Sequence, residues 1–213
     1  MGVYIEAFLL FVVIFFSQVL LGGASAGIEI QFFTASSLIL NLFIYCIPSL
    51  VIIWFLLYRR KKPEYHIQKP GKNDLLSGLI SLPCLLIIGI TVSIISISAR
   101  GVPSQPLPSP ASISGWIILC VYCLFSAYLE ESFFRFYLLS KRGELRLSAP
   151  AALIISAIMF GICHIYEGFW GLLNAALAGL FLGYLFLRFK TLHGIALAHG
   201  LYNITAFVLN VFN

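Results

Sequence analysis

"SGWIILCVYCLFSAYLEESFFRFYLLS", residues 114–140, decides the fold: it is almost wholly apolar and long enough to cross a hydrocarbon core of about 30 Å as a helix. Yet it carries Glu130, Glu131 and Arg135. The chain around it is 61% hydrophobic and 10% charged, whereas soluble domains run at roughly 45–50% and about 25%. Backbone polar groups cannot be left bare in lipid, so apolar segments of this length read as helices. The expected fold is all-α, a polytopic transmembrane helical bundle of about seven spans. It forms a single integral membrane domain over residues 1–213.

Outward from that stretch, spans fall at about 3–21, 34–58, 75–98, 114–140, 149–165, 170–187 and 192–212. The fifth and sixth are separated only by "YEGF" and should form a tight hairpin. The basic residues test this division, because cytoplasmic loops carry an excess of Lys and Arg. Of the 13, six lie in "RRKKPEYHIQKPGK", three in "KRGELR" and two in "RFK", all on one side, with only Arg100 opposite. The N-terminus is therefore expected in the cytoplasm. The net charge of +5 is an orientation signal and not a nucleic-acid signature. The lack of an organelle-retention signal points to a prokaryotic plasma membrane. The start resembles a signal peptide ending at an A-x-A site before Gly27, but it has no Lys or Arg ahead of the apolar run and contains Glu6, so a retained first span is expected.

An ionisable residue at the centre of a spanning helix costs about 2.5–3.5 kcal/mol, while each Leu, Ile, Val or Phe returns about 0.3–0.6. Three charges in one span need compensation. Glu131 and Arg135 stand i, i+4 with the acid first, the favourable order for a helical ion pair. Glu130 points about 140° away from Arg135 at roughly 100° per residue, which leaves its carboxylate unpaired.

Other spans supply partners. "FGICH" ends in His164, and "HGLYN" places His199 and Asn203 on one helical face. Measured from the basic side at about 1.5 Å per residue, Glu130 lies about 17 Å deep, His164 about 22 Å, His199 about 10 Å and Asn203 about 17 Å. All four can meet near the middle of the bilayer. These residue types suit hydrolysis. A carboxylate withdrawn from bulk water is a competent general base, a histidine can share the proton, and a second histidine with an amide can donate to an oxyanion.

"EESFFR", "FGICH" and "HGLYN" fit E-E-x-x-x-R, F-x-x-x-H and H-x-x-x-N, and in that order they resemble the CAAX prenyl protease and bacteriocin-processing family (CPBP, also called Abi) of intramembrane endopeptidases. The resemblance covers about 114–212, the motif-bearing core. It implies that Glu130 and His164 activate water, that His199 and Asn203 form the oxyanion hole, and that Glu131 and Arg135 are supporting residues. No cofactor is implied. The substrate would be a membrane-proximal or lipidated peptide, with the bilayer as surroundings, and the oligomeric state is open. The first three spans match no motif.

Rival readings remain. Glu130, His164 and His199 could ligate zinc, although there is no H-E-x-x-H and no obvious base would be left. A non-enzymatic immunity or regulatory protein could keep the polar cluster for stability, and a transporter could use it as an ion path. "GASAG" at 23–27 fits G-x-S-x-G but lies in a loop and not at a strand-to-helix elbow. The five cysteines all fall in apolar runs and suggest packing, including Cys120 and Cys123 of "CVYC". Gly171, Ala175, Gly179 and Gly183 form a small-residue ridge expected to pack within the chain, and Asn174 is a candidate for an interhelical hydrogen bond.

Overall fold

The computed structural model describes residues 2–16, 34–59, 69–100 and 110–211. Among these residues there are seven helical rods and no strand. They are α1 (Val3–Leu10, continued by π-helical Phe11–Phe16), α2 (Ala35–Tyr58), α3 (Lys72–Arg100), α4 (Ile113–Lys141), α5 (Ala149–Cys163), α6 (Gly168–Phe189) and α7 (His193–Val211). Each expected span has its rod. By length and apolarity α2, α3, α4 and Ile165–Phe189 can cross a membrane, while Tyr4–Phe16 and α5 are apolar but shorter. Side chains such as Phe43, Ile52, Ile87, Ile94 and Ile117 face outward, as a bundle surrounded by lipid requires. The signal-peptide-like site and "GASAG" lie outside the described residues, as does most of the basic loop after α2.

Local chemistry sets the rod ends. Thr34, Ser112 and Ser148 cap α2, α4 and α5 by accepting from the backbone N–H of Ser37, Gly115 and Ala151. The α5–α6 hairpin turns through the 3-10 segment Ile165–Glu167 and Gly168, whose φ of 79° needs a residue without Cβ. α6 stops on Lys190 in the left-handed region, whose N–H returns to the Phe186 carbonyl at 2.7 Å. In α2 the π-helical stretch Leu42–Cys46 runs up to Pro48, which has no N–H to continue the regular ladder.

Interhelical contacts bring the basic ends together. Tyr4 of α1 donates to the Leu145 carbonyl at 2.9 Å, and Glu6 pairs with Lys141 and Tyr137 at the end of α4. Asn73 of α3 reaches the Phe189 carbonyl. Asp74 accepts from Thr191 and from the Gly194 N–H, which caps the start of α7. Arg100 sits at the opposite end of α3.

The core is aromatic. Phe15 meets Phe133 and Phe134 at ring-centroid distances of 4.9 Å, and Phe134 meets Phe160 at 5.1 Å. α1 thus packs on the charged segment of α4. The α6 ridge packs within the chain as expected: Gly179 lies against Phe160 and Ala157, and Gly183 against Leu153 and Leu139. Asn174 donates to the Tyr202 hydroxyl at 3.0 Å, joining α6 to α7.

Candidate active site

α4 runs as an α-helix through Glu131 and then widens into a π-helical turn, Ser132–Leu138. Nothing in the residue pattern announces this turn, which loosens the backbone ladder where the charges sit. Neighbouring helices hold it. The Trp54 indole of α2 donates to Ser132 Oγ at 3.0 Å, and Ser156 Oγ of α5 donates to the Phe134 carbonyl at 3.0 Å.

Arg135 and Glu131 are wholly buried and meet with Nε and Oε2 2.9 Å apart, so the ion pair expected from their spacing is present. Arg135 also donates to Ser156 Oγ at 3.3 Å, and its guanidinium lies 5.0 Å from the Phe160 ring centroid. Burying two charges costs several kcal/mol per ion unless they are paired and further hydrogen-bonded. Here Ser156 and the Phe160 ring supply the remaining contacts.

Glu131 does more than neutralise Arg135. Its Oε1 lies 2.9 Å from His199 Nδ1. A carboxylate held by a guanidinium is ionised and only accepts, so His199 donates from Nδ1 and turns Nε2 the other way. His199 Nε2 is 3.7 Å from Glu130 Oε2. The i, i+4 pattern identified the ion pair but not this bridge across to α7.

Glu130, on the next position of α4, is built differently. Its side chain keeps 16% of its accessibility, against none for Glu131. Ser126, one turn back, donates to Glu130 Oε1 at 3.0 Å. Glu130 Oε2 is itself buried and has no hydrogen-bond partner among the described residues. α2, which matched no motif, packs against this stretch of α4 through Trp54.

His164 forms the C-terminal cap of α5 with φ −104° and ψ 13°, the bridge region where many site residues sit. Its Nδ1 is 2.9 Å from the Phe160 carbonyl, an obligate acceptor, so Nδ1 donates and the lone pair is on Nε2. Phe160 also joins the two histidines, with ring centroids 4.9 Å from His164 and 5.8 Å from His199. Asn203 stands half-buried one turn beyond His199 on α7 and makes no side-chain hydrogen bond among the described residues.

The depths expected from straight rods need one correction. His199 contacts both glutamates, whereas counting residues placed it well below them. Thr191 and Leu192, ahead of α7, are already buried and Asp74 caps the helix from α3, so α7 begins inside the bundle and not at its surface. Among the described residues no three His, Cys, Asp or Glu side chains, Glu130, His164 and His199 included, group closely enough to hold a metal ion.

The missed residues, Ser126, Ser156 and Trp54, are ordinary in a membrane helix, whereas Phe160 opens the F-x-x-x-H motif. Of those three, only Ser126 had a usable signal, the same i, i+4 spacing from Glu130 that linked Glu131 to Arg135.

Residues 112–205 match the family model described as Type II CAAX prenyl endopeptidase Rce1-like. The match spans all three motifs. No curated protein and no solved structure matches the chain. Over residues 112–205, somewhat less than half of its length, this integral membrane protein is thus similar to the Type II CAAX prenyl endopeptidases, a family of proteases.

Proposed function

We propose that the chain hydrolyses a membrane-proximal peptide bond with water activated by Glu130 and His164, and that His199 and Asn203 hold the developing oxyanion. The unpartnered Glu130 Oε2, kept apart from the Glu131–Arg135 pair, is the observation that carries this reading. That oxygen accepts a proton as the water oxygen attacks the scissile carbonyl carbon. His164, with its Nε2 lone pair available, shares that proton, which then passes to the departing amine as the C–N bond breaks.

The oxyanion forms on the substrate carbonyl oxygen. His199 can donate to it from Nε2 only as an imidazolium, because Nδ1–H is committed to Glu131. With that imidazolium, Glu130, Glu131 and Arg135 sum to zero charge, which suits a buried site. Asn203 would add an amide N–H donor from the next turn. Glu131 and Arg135 act as supports that fix the His199 ring. The family's name makes a prenylated C-terminal peptide the first substrate class to examine. The clustering of the basic ends favours a cytoplasmic N-terminus.

The test is turnover of an internally quenched, farnesylated peptide carrying a CAAX C-terminus by the purified protein in detergent micelles. Glu130→Gln should lower kcat by about 10²–10⁴-fold with unfolding unchanged. Wild-type turnover by that variant would overturn the assignment of Glu130 as base.

A further inference from the structure

Ser126 lies outside all three motifs, yet it makes the one hydrogen bond to Glu130 among the described residues. A serine in a helix interior commonly turns its hydroxyl back to the carbonyl four residues earlier. Here the hydroxyl instead reaches forward one turn to Glu130 Oε1 at 3.0 Å. This contact separates the two carboxylate oxygens. Oε1 is occupied by Ser126, while Oε2 is buried, unpartnered and 3.7 Å from His199 Nε2, too far for a hydrogen bond.

We propose that Ser126 is a positioning residue that holds Glu130 Oε1 and thereby presents Oε2 as the proton-accepting atom. This rests on the reading of Glu130 as the general base. A glutamate side chain with neither oxygen held samples several rotamers, and a misplacement of about 1 Å can cost on the order of 100-fold in rate. Glu131 has a guanidinium and an imidazole to fix it. Glu130, with no ion pair as close, is fixed from its own helix by the serine hydroxyl.

The experiment compares wild type, Ser126→Ala, Ser126→Thr and Glu130→Gln on the same farnesylated quenched peptide, with thermal unfolding measured in the same micelles. Ser126→Ala should lower kcat by roughly tenfold, as for loss of one hydrogen bond to a charged group, with KM within about twofold and unfolding unchanged. Ser126→Thr, which keeps the hydroxyl, should recover most of kcat. In the Glu130→Gln background Ser126→Ala should have no further effect, because the two act as a unit. Wild-type kcat in Ser126→Ala alongside an inactive Glu130→Gln would overturn the role of Ser126 and leave the base intact. An active Glu130→Gln would overturn the base itself. A kcat loss in Ser126→Ala that Ser126→Thr does not recover would also count against the hydroxyl.

Discussion

The two sides of α4 at Glu130 and Glu131 carry the same functional group one residue apart, and the fold treats them oppositely. On one side Glu131 is sealed, with a guanidinium and an imidazole on its oxygens. On the other, Glu130 has a single serine donor and one buried oxygen without a partner. The difference teaches that charge in a membrane helix can serve stability or chemistry, and that the number of partners tells them apart. The buried Glu131 is matched by a guanidinium at 2.9 Å. Glu130, proposed as the base, keeps an acceptor in reserve.

The comparison breaks most visibly at Glu130, whose conversion to Gln should remove about 10²–10⁴-fold of kcat and leave the unfolding midpoint in place. Arg135→Met keeps similar bulk but strands the Glu131 carboxylate in a wholly buried site, and should destabilise by about 3–5 kcal/mol in reversible unfolding. Glu131→Gln unpairs Arg135 but still offers an oxygen to His199 Nδ1. It should cost about 2 kcal/mol of stability while kcat falls by no more than about tenfold. The smallest effect belongs to Ser156→Ala, which removes a donor to the Phe134 carbonyl and an acceptor for Arg135. About 1–2 kcal/mol should be lost, read from the same unfolding curves. A larger loss of activity than of stability in Ser156→Ala would show that the π-helical turn shapes the chemistry as well as the packing.

Much of this was legible in the residues. Apolar run lengths and the one-sided Lys and Arg counts gave the rods and the grouping of their ends, because both follow from the energetics of a helix in lipid. The Glu131–Arg135 pair followed from helical spacing, and the motif-bearing stretch follows the family match of residues 112–205 closely. What the residues did not reveal depends on tertiary packing. The π-helical turn after Glu131 is stabilised by Trp54 and Ser156, which come from other helices. The bridge from Glu131 to His199 needed the true depth of α7, and that depth is set by the Asp74 cap on α3. The docking of α1 through Phe11, Phe15 and Glu6 had no sequence motif to announce it.

Glu130→Gln and Glu131→Gln, assayed side by side for kcat and for unfolding in the same micelles, test the central claim most directly. The account predicts a stable, inactive Glu130→Gln and a less stable Glu131→Gln that still turns over peptide. A destabilised but active Glu130→Gln, with a stable and inactive Glu131→Gln, would contradict it and exchange the roles of the two carboxylates.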